Sequence, residues 1–217
     1  MTIHTVLADD HAVVRDGLRM VLEAEPDIEV IGEASNGREA VRLAKRLRPD
    51  VMLLDVAMPE LNGIEAAGQI DELALPIRIV MLSMYSTKEH ILRALRAGAA
   101  GYLLKESAAT EVVTAVREVS NGRRYLSNKV SDEVIEGFMH PDPQQTSKTQ
   151  LEQLSPRERE ILQLVAEGRS SIEIGKTLFL SSKTVDTYRS RLMHKLGIRD
   201  ITGLVRFAIR YGVITPD

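Results

Sequence analysis

The first 126 residues alternate short apolar runs with longer stretches in which apolar residues recur every three or four positions. Short apolar runs are typical of buried strands, and the wider spacing is typical of helices with one buried face. Strands are predicted at 3–8, 29–34, 51–54, 77–82 and 101–104, and helices near 12–24, 61–73, 87–98 and 109–120. A further helix, with Ala40, Val41, Ala44 and Leu47 facing inward, is predicted after Asn36-Gly37. Strict alternation of strand and helix predicts an α/β domain whose parallel sheet is covered by helices on both faces.

The pattern changes after residue 126. Residues 129–139 outline one more amphipathic helix through Val130, Val134, Ile135 and Phe138. Residues 140–150 are polar, contain two prolines and have no apolar residue, which is typical of an interdomain linker. Three segments are therefore predicted: a first domain over 1–126, a linker with a short helix over 127–150, and a second domain over 151–217.

The second domain is predicted to be all-helical with four helices. Ser155 to Glu158 and Ser170 to Glu173 each form a capping box at a helix start. Ser181 or Ser182 is expected to cap a third helix, and Asp200 a fourth. A short helix, a tight turn and a longer helix with one polar face form a helix-turn-helix pattern.

Composition and charge narrow the possible functions. Of 217 residues, 44% are hydrophobic, which is enough for a sizeable core, and the net charge is −3. Residues 141–217 hold 12 Lys/Arg against 9 Asp/Glu, and this basic balance favours a nucleic-acid partner. With no long apolar segment and no leader, we expect a cytoplasmic protein without membrane contact. The absence of cysteine excludes disulfides and thiolate chemistry.

The candidate chemistry lies at the predicted strand ends. Asp9 and Asp10 follow the first strand and Asp55 follows the third. A single aspartate there is more often a turn residue. Alternation does not establish strand order, but the flavodoxin-like order 2-1-3-4-5 would bring the three carboxylates together. Such a cluster needs a cation, and Mg²⁺ prefers oxygen ligands. A carboxylate beside Mg²⁺ can act as a nucleophile toward phosphorus, and Ser83 and Lys105 could contact the phosphate.

These residues carry a family resemblance in both halves of the chain. Residues 1–126 resemble the receiver domain of two-component response regulators through Asp9-Asp10, Asp55 with Met58-Pro59 and Gly63, Ser83, and Tyr102-Leu-Leu-Lys105. Residues 151–217 resemble the LuxR-type helix-turn-helix domain through Leu154 to Glu160, Ser182 to Val185, and Lys195-Leu196. The two in this order are similar to the NarL/FixJ class of response regulators.

The resemblance implies a role for each matching residue of the first domain. Asp55 is implied to be the phosphoacceptor. Asp9, Asp10, Asp55 and the backbone carbonyl of Ala57 are implied to hold Mg²⁺. His11, a histidine with no second histidine near it in the sequence, is not expected to be a ligand. Ser83, Tyr102 and Lys105 are implied to respond to the phosphate. The sequence departs from many receivers in having Glu106, not proline, after the lysine.

The resemblance also implies that the third helix of the second domain enters the DNA major groove. Lys183, Arg189 and Lys195 are the expected phosphate contacts, and Asp186 could accept a hydrogen bond from a cytosine amino group. Tyr188 lies on the apolar stripe and is expected in the core. The candidate DNA contacts are Ser182, Lys183, Thr184, Asp186, Thr187, Arg189, Ser190, Arg191, His194 and Lys195.

The function expected from these residues is transcription regulation, not enzymatic catalysis. A sensor histidine kinase would phosphorylate Asp55, and this would control DNA binding to promoter operators and homodimer formation, with RNA polymerase as a further partner. One alternative is a regulator that works without phosphate, with the first domain binding a protein or ligand. An aspartyl-phosphate phosphatase would need an acid where this chain has Ala57. A flavin carrier would need a hydroxyl-rich phosphate loop after the first strand.

Overall fold

The computed structural model describes residues 2–139 and 150–215, without the side chain of Phe138. The chain divides into two compact units, residues 1–141 and 142–217, and each has its own hydrophobic core. The linker predicted at 140–150 lies, apart from Gln150, outside the described residues. Among the described helices, none is long and apolar enough to cross a membrane.

The first unit is a parallel sheet with helices on both faces. Its elements are β1 (Ile3–Ala8), α1 (Ala12–Glu23), β2 (Ile28–Ala34), α2 (Gly37–Leu47), β3 (Val51–Asp55), α3 (Gly63–Asp71), β4 (Arg78–Ser83), α4 (Lys88–Arg96), β5 (Gly101–Leu104), α5 (Ala108–Ser120), β6 (Tyr125–Leu126) and α6 (Asn128–Met139). The strand order is β2-β1-β3-β4-β5-β6, and every pair is parallel.

The predicted order 2-1-3-4-5 is confirmed, but the predicted count of five strands is one short. The sixth strand, β6, pairs with β5 at the edge of the sheet. It contains only two half-buried residues, too few to produce a periodic pattern in the sequence.

The core of the first unit has two layers, one on each side of the sheet. Residues of α2, α3, α4 and α6 cover one face, and residues of α1 and α5 cover the other. All five residues of β3 are buried, as expected for a central strand covered on both sides. Its last residue, Asp55, is thereby held at the carboxyl edge of the sheet.

The first unit continues past residue 126, where the sequence pattern placed a boundary. The helix predicted at 129–139 is present as α6, and it packs against α4 and β5. Val130 is fully buried in the same core cluster as Tyr102, and Val134, one turn later, packs against it half-buried. Spacing of four residues puts both valines on one helix face, which explains the docking.

The second unit contains the four predicted helices. They are α7 (Pro156–Ala166), α8 (Ser171–Leu178), α9 (Ser182–Leu196) and α10 (Ile201–Arg210). Both capping boxes are present, and the side chains of Ser181 and Asp200 cap α9 and α10. Val185, Leu192 and Leu196 turn one face of α9 into the core. The opposite face is left to solvent, which is the arrangement of a helix-turn-helix.

Candidate functional site

Two buried carboxylates and one ammonium group meet at the carboxyl edge of the first unit's sheet. The β1–β3 register pairs Ala8 with Leu54, so the residues that follow, Asp9 and Asp55, lie side by side. Asp9 is 1% exposed and Asp55 is 2% exposed. Lys105, directly after β5, places its Nζ 2.7 Å from Asp9 Oδ2 and 2.9 Å from Asp55 Oδ2. The sequence-predicted cluster is therefore assembled in space.

The loop after β3 is held tightly against this cluster. The N–H of Gly63 donates to the carbonyl of Val56 over 2.9 Å. A Cβ atom at residue 63 would lie 2.0 Å from the carbonyl oxygen of Asp55, so any side chain there would collide with backbone. The side chain of Asn62 then caps α3 by accepting from the N–H of Glu65. Glycine at residue 63 is thus required by the close approach of α3 to the site.

The environment favours a proton on Asp55. Burial, and then the charge of Asp9, raise the pKa of Asp55 to about 6, although Lys105 and the backbone N–H of Ala57 act in the opposite direction. Burial opposes the charged form of Lys105, but the carboxylates of Asp55 and Asp9 outweigh it and raise its pKa. Lys105 is therefore a cation, and the pocket holds more negative than positive charge when Asp55 ionises.

The residues present fit a divalent cation. Asp9, Asp10, His11 and Asp55 each offer one ligand atom, and these four atoms lie within 4.8 Å of one another. Three of the four donors are carboxylates, which suit a hard ion such as Mg²⁺. His11 was not expected in this group. Its Nδ1 lies 2.8 Å from Asp10 Oδ1, and its backbone N–H donates to Asp9 Oδ1 over 2.9 Å. Its position directly after the aspartate pair was the available signal.

Ser83 and Tyr102 both hydrogen-bond to the backbone of Tyr85, a residue that the sequence analysis did not single out. The Oγ of Ser83 accepts from the N–H of Tyr85 over 2.9 Å, and the hydroxyl of Tyr102 donates to the carbonyl of Tyr85 over 2.8 Å. Both Ser83 and Tyr102 are fully buried, and burial raises the pKa of Tyr102 to about 12. The backbone of Tyr85 therefore connects the ends of β4 and β5.

The segment between β4 and α4 is fastened by His90. Its ring stacks on Tyr85 with centroids 5.2 Å apart, and its Nδ1 lies 2.6 Å from the hydroxyl oxygen of Thr87. Burial, and then the charge of Arg93, lower the pKa of His90 to about 4, so the ring is neutral at pH 7. A lone histidine in an amphipathic helix gave no sign of this contact in the sequence.

Most candidate DNA contacts lie on the exposed face of α9, and Thr184 and Arg189 are half-buried at its edge. Tyr188 packs half-buried against the core, as expected. Lys195 does not point freely outward, since its Nζ lies 2.8 Å from a carboxylate oxygen of Glu158 on α7. The exposed candidates are Ser182, Lys183, Asp186, Thr187, Ser190, Arg191, His194 and Lys195.

A doubly wound domain with this acidic pocket, joined in one chain to a helix-turn-helix domain, defines a signal-receiving regulator that acts on DNA. Comparison with known proteins agrees. Residues 5–117 match the response regulator receiver domain, and residues 152–208 match the luxR family of bacterial regulatory proteins.

Similar proteins extend this match over nearly the whole chain. The transcriptional regulatory protein LiaR of Bacillus subtilis (strain 168) is 44% identical over 209 residues, 96% of this chain and 97% of LiaR. A LuxR-family two-component response regulator from Aurantimonas sp. SI85-9A1 has a TM-score of 0.62 and 34% identity, covering 64% of this chain and 100% of that one. A structure of RcsB dimers bound to DNA has a TM-score of 0.58 and 26% identity, covering 95% and 98%.

The chain therefore belongs to the LuxR-family response regulators, which are DNA-binding transcriptional regulators of two-component systems. This confirms the family and the class of function expected from the sequence.

Proposed function

We propose that Asp55 accepts the phosphoryl group from a sensor histidine kinase. A carboxylate oxygen of Asp55 forms the new P–O bond while the P–N bond of the donor phosphohistidine breaks. The observation that carries this proposal is the contact of Lys105 Nζ with both Asp55 and Asp9, since the same ammonium can neutralise phosphoryl oxygens. Asp55 is also the buried carboxylate that ends a central strand.

The acidic pocket is proposed to hold Mg²⁺ through Asp9, Asp10, Asp55 and the backbone carbonyl of Ala57. When bound, Mg²⁺ offsets the repulsion between the carboxylates and the incoming phosphoryl group. The side chain of residue 57 is a methyl group, which cannot donate a proton to a leaving group. This supports a regulator that retains its phosphoryl group over a phosphatase that turns over.

Phosphorylation is proposed to act through Ser83 and Tyr102. Ser83 ends β4 next to Asp55, which pairs with Leu82 in the β3–β4 register. A phosphoryl group on Asp55 offers acceptor oxygens to the hydroxyl of Ser83, which now holds the N–H of Tyr85. Drawing Ser83 away loosens Tyr85, which also accepts the hydroxyl of Tyr102. The charge change is thus passed from Asp55 to β5.

The second domain is proposed to place α9 in the major groove of promoter operators. The solved RcsB structure contains dimers on DNA, and by analogy this chain binds paired half-sites as a homodimer. Such half-sites lie about 10–10.5 bp apart, or a multiple of that distance. RNA polymerase is the proposed further partner. Because the operators are chromosomal, the protein is proposed to act in the cytoplasm.

The phosphoacceptor is tested by treating the full chain with acetyl phosphate and Mg²⁺ and measuring intact mass. Asp50→Asn is the matched control, because Asp50 flanks the other end of β3 and has a half-exposed side chain. We expect wild type and Asp50→Asn to gain one phosphoryl group and Asp55→Asn to gain none. Incorporation into Asp55→Asn would overturn the assignment.

DNA recognition is tested by salt titration of binding to promoter duplexes. Contacts to phosphates release counterions, so the logarithm of the affinity falls linearly with the logarithm of the salt concentration. An affinity that did not change with salt would overturn the docking of α9.

A further inference from the structure

One hydroxyl group joins two side chains of the DNA-binding helix. Ser171, the first residue of α8, donates its hydroxyl proton to Asp186 Oδ1 over 2.5 Å. The same oxygen accepts a hydrogen bond from Nη1 of Arg189 over 2.9 Å. Asp186 and Arg189 lie three residues apart on α9, on neighbouring positions of one face. Ser171 thus uses its donor and an acceptor position to hold both side chains of a charged pair.

The two charged side chains differ in exposure. Asp186 is exposed, whereas Ser171 and Arg189 are half-buried between α8 and α9. The half-buried Ser171 therefore restricts the rotamer of the exposed carboxylate of Asp186. A restricted carboxylate discriminates between bases better than a mobile one, because it is already held in one orientation and loses less conformational freedom on binding.

We propose that Ser171, Asp186 and Arg189 form a specificity unit in which Ser171 positions Asp186 to select a cytosine in the operator. This inference rests on the proposed docking of α9 in the major groove. A carboxylate only accepts hydrogen bonds, and the cytosine N4 amino group is the donor it pairs with in that groove. The guanine and thymine edges present only acceptors, which repel it, and adenine places an N7 acceptor beside its N6 amino donor.

The unit selects by rejection as well as by attraction. At a guanine or thymine, binding removes water from Asp186 and gives it no donor, so binding is penalised. Asp186 also offsets the positive charge of Arg189, to which it is linked through Ser171, and so weakens attraction to phosphates of any sequence. Asp186 therefore lowers general DNA affinity and raises the preference for one base.

The experiment selects duplexes from a randomised pool with the full chain after acetyl phosphate treatment. For wild type we expect enrichment of a cytosine at one position of each half-site. For Asp186→Asn we expect that preference to disappear and affinity for a mixed-sequence duplex to rise about tenfold, as removal of one unfavourable contact would produce.

Ser171 is tested as a positioning residue by two variants. Ser171→Ala should weaken the cytosine preference while leaving the thermal midpoint unchanged, because the contact is at the domain surface. Ser171→Thr keeps the hydroxyl and should restore the preference. A base preference is not altered by a merely structural loss, so this readout separates positioning from stability.

Asp200→Asn is the matched charge control. It removes the same charge from the same domain, and asparagine caps α10 as well as aspartate does. We expect its affinity for the mixed-sequence duplex to rise less than about threefold. Equal gains in Asp186→Asn and Asp200→Asn would overturn the inference, and so would a cytosine preference kept by Asp186→Asn. Wild type that enriches no sequence would instead overturn the proposed DNA recognition.

Discussion

The backbone N–H of Ser127 donates a hydrogen bond to the carbonyl oxygen of Tyr102 over 3.1 Å. It continues the β5–β6 pairing, in which Tyr102 lies opposite Leu126. On the same border, the ammonium of Lys129 lies 2.5 Å from the carboxylate of Glu106. The start of α6 is thus bonded directly to the strand that carries the proposed switch tyrosine.

The packing of α6 on the first unit makes a prediction about stability. Val130→Ala should lower the free energy of unfolding of this unit by roughly 2 kcal/mol, since Val130 is fully buried and two methyl groups are lost. Ile135→Ala is the control, because Ile135 on the same helix is 57% exposed, and we expect a change under about 0.5 kcal/mol. Urea titration of the full chain, with hydrogen exchange measured on peptides covering β5, reports this unit.

Equal effects of the two variants would contradict the docking of α6. A larger loss in Val130→Ala, together with faster exchange in β5, would support α6 as part of the receiver fold.

A second prediction concerns two buried groups whose protonation acts on stability in opposite directions. Asp55 has a pKa of about 6 in the folded chain, above its ordinary 3.8, so its contribution is present at low pH and is lost as pH rises through about 6. His90 has a pKa of about 4, below its ordinary 6.5, so its contribution is present above 6.5 and is lost as pH falls through about 4. Each of the two groups contributes about 3 kcal/mol to the free energy of unfolding.

Between pH 4 and 6.5 the two contributions oppose each other in the metal-free protein. In Asp55→Asn only the His90 contribution remains. The free energy of unfolding should therefore rise with pH over this range by about 3 kcal/mol more than in wild type. His90→Gln should do the reverse. Urea unfolding in EDTA at several pH values measures both. Parallel profiles for wild type and the two variants would show that neither group titrates as its burial implies.

The sequence sufficed to predict β3 and its terminal aspartate because burial on both faces leaves an uninterrupted apolar run. Asp9, Asp10, Ser83 and Lys105 could be grouped with Asp55 because parallel strands end at one edge, whatever packs around them. His90, in contrast, is defined by a stacking contact with Tyr85 and by burial, neither of which has a local pattern. Such contacts arise from packing of a helix on a loop, and one sequence does not specify them.

A third prediction concerns Lys105 and the proposed Mg²⁺, which we expect to compete for the same carboxylates. The ammonium lies within 2.9 Å of Asp55 and 2.7 Å of Asp9. Removing it in Lys105→Ala should tighten Mg²⁺ binding roughly tenfold, because a cation at this distance disfavours a second one. Lys129→Ala, whose ammonium contacts Glu106, is the control and should bind Mg²⁺ as wild type does. Isothermal titration with MgCl₂ gives the affinities, and weaker binding by Lys105→Ala would contradict competition.

The last prediction separates two lysines of α9 that look alike in the sequence. Lys183 is exposed near the start of the helix, whereas Lys195 is bonded to Glu158, whose side chain is only 6% exposed. Glu158 also completes the capping box of α7, so its carboxylate must stay at the start of that helix. Lys183→Ala should therefore reduce the salt slope of DNA binding by about 1, as the loss of one phosphate contact does.

Lys195→Ala should instead leave the salt slope unchanged and lower the stability of the second unit by about 1–2 kcal/mol, a loss limited by the half-exposure of Lys195. Salt titration and thermal unfolding, made on the same two variants, measure both quantities. A reduced salt slope with unchanged stability in Lys195→Ala would mean that this lysine leaves Glu158 for a phosphate on DNA. The prediction from the sequence that Lys195 contacts a phosphate would then be correct for the DNA complex, although Lys195 contacts Glu158 in the free protein.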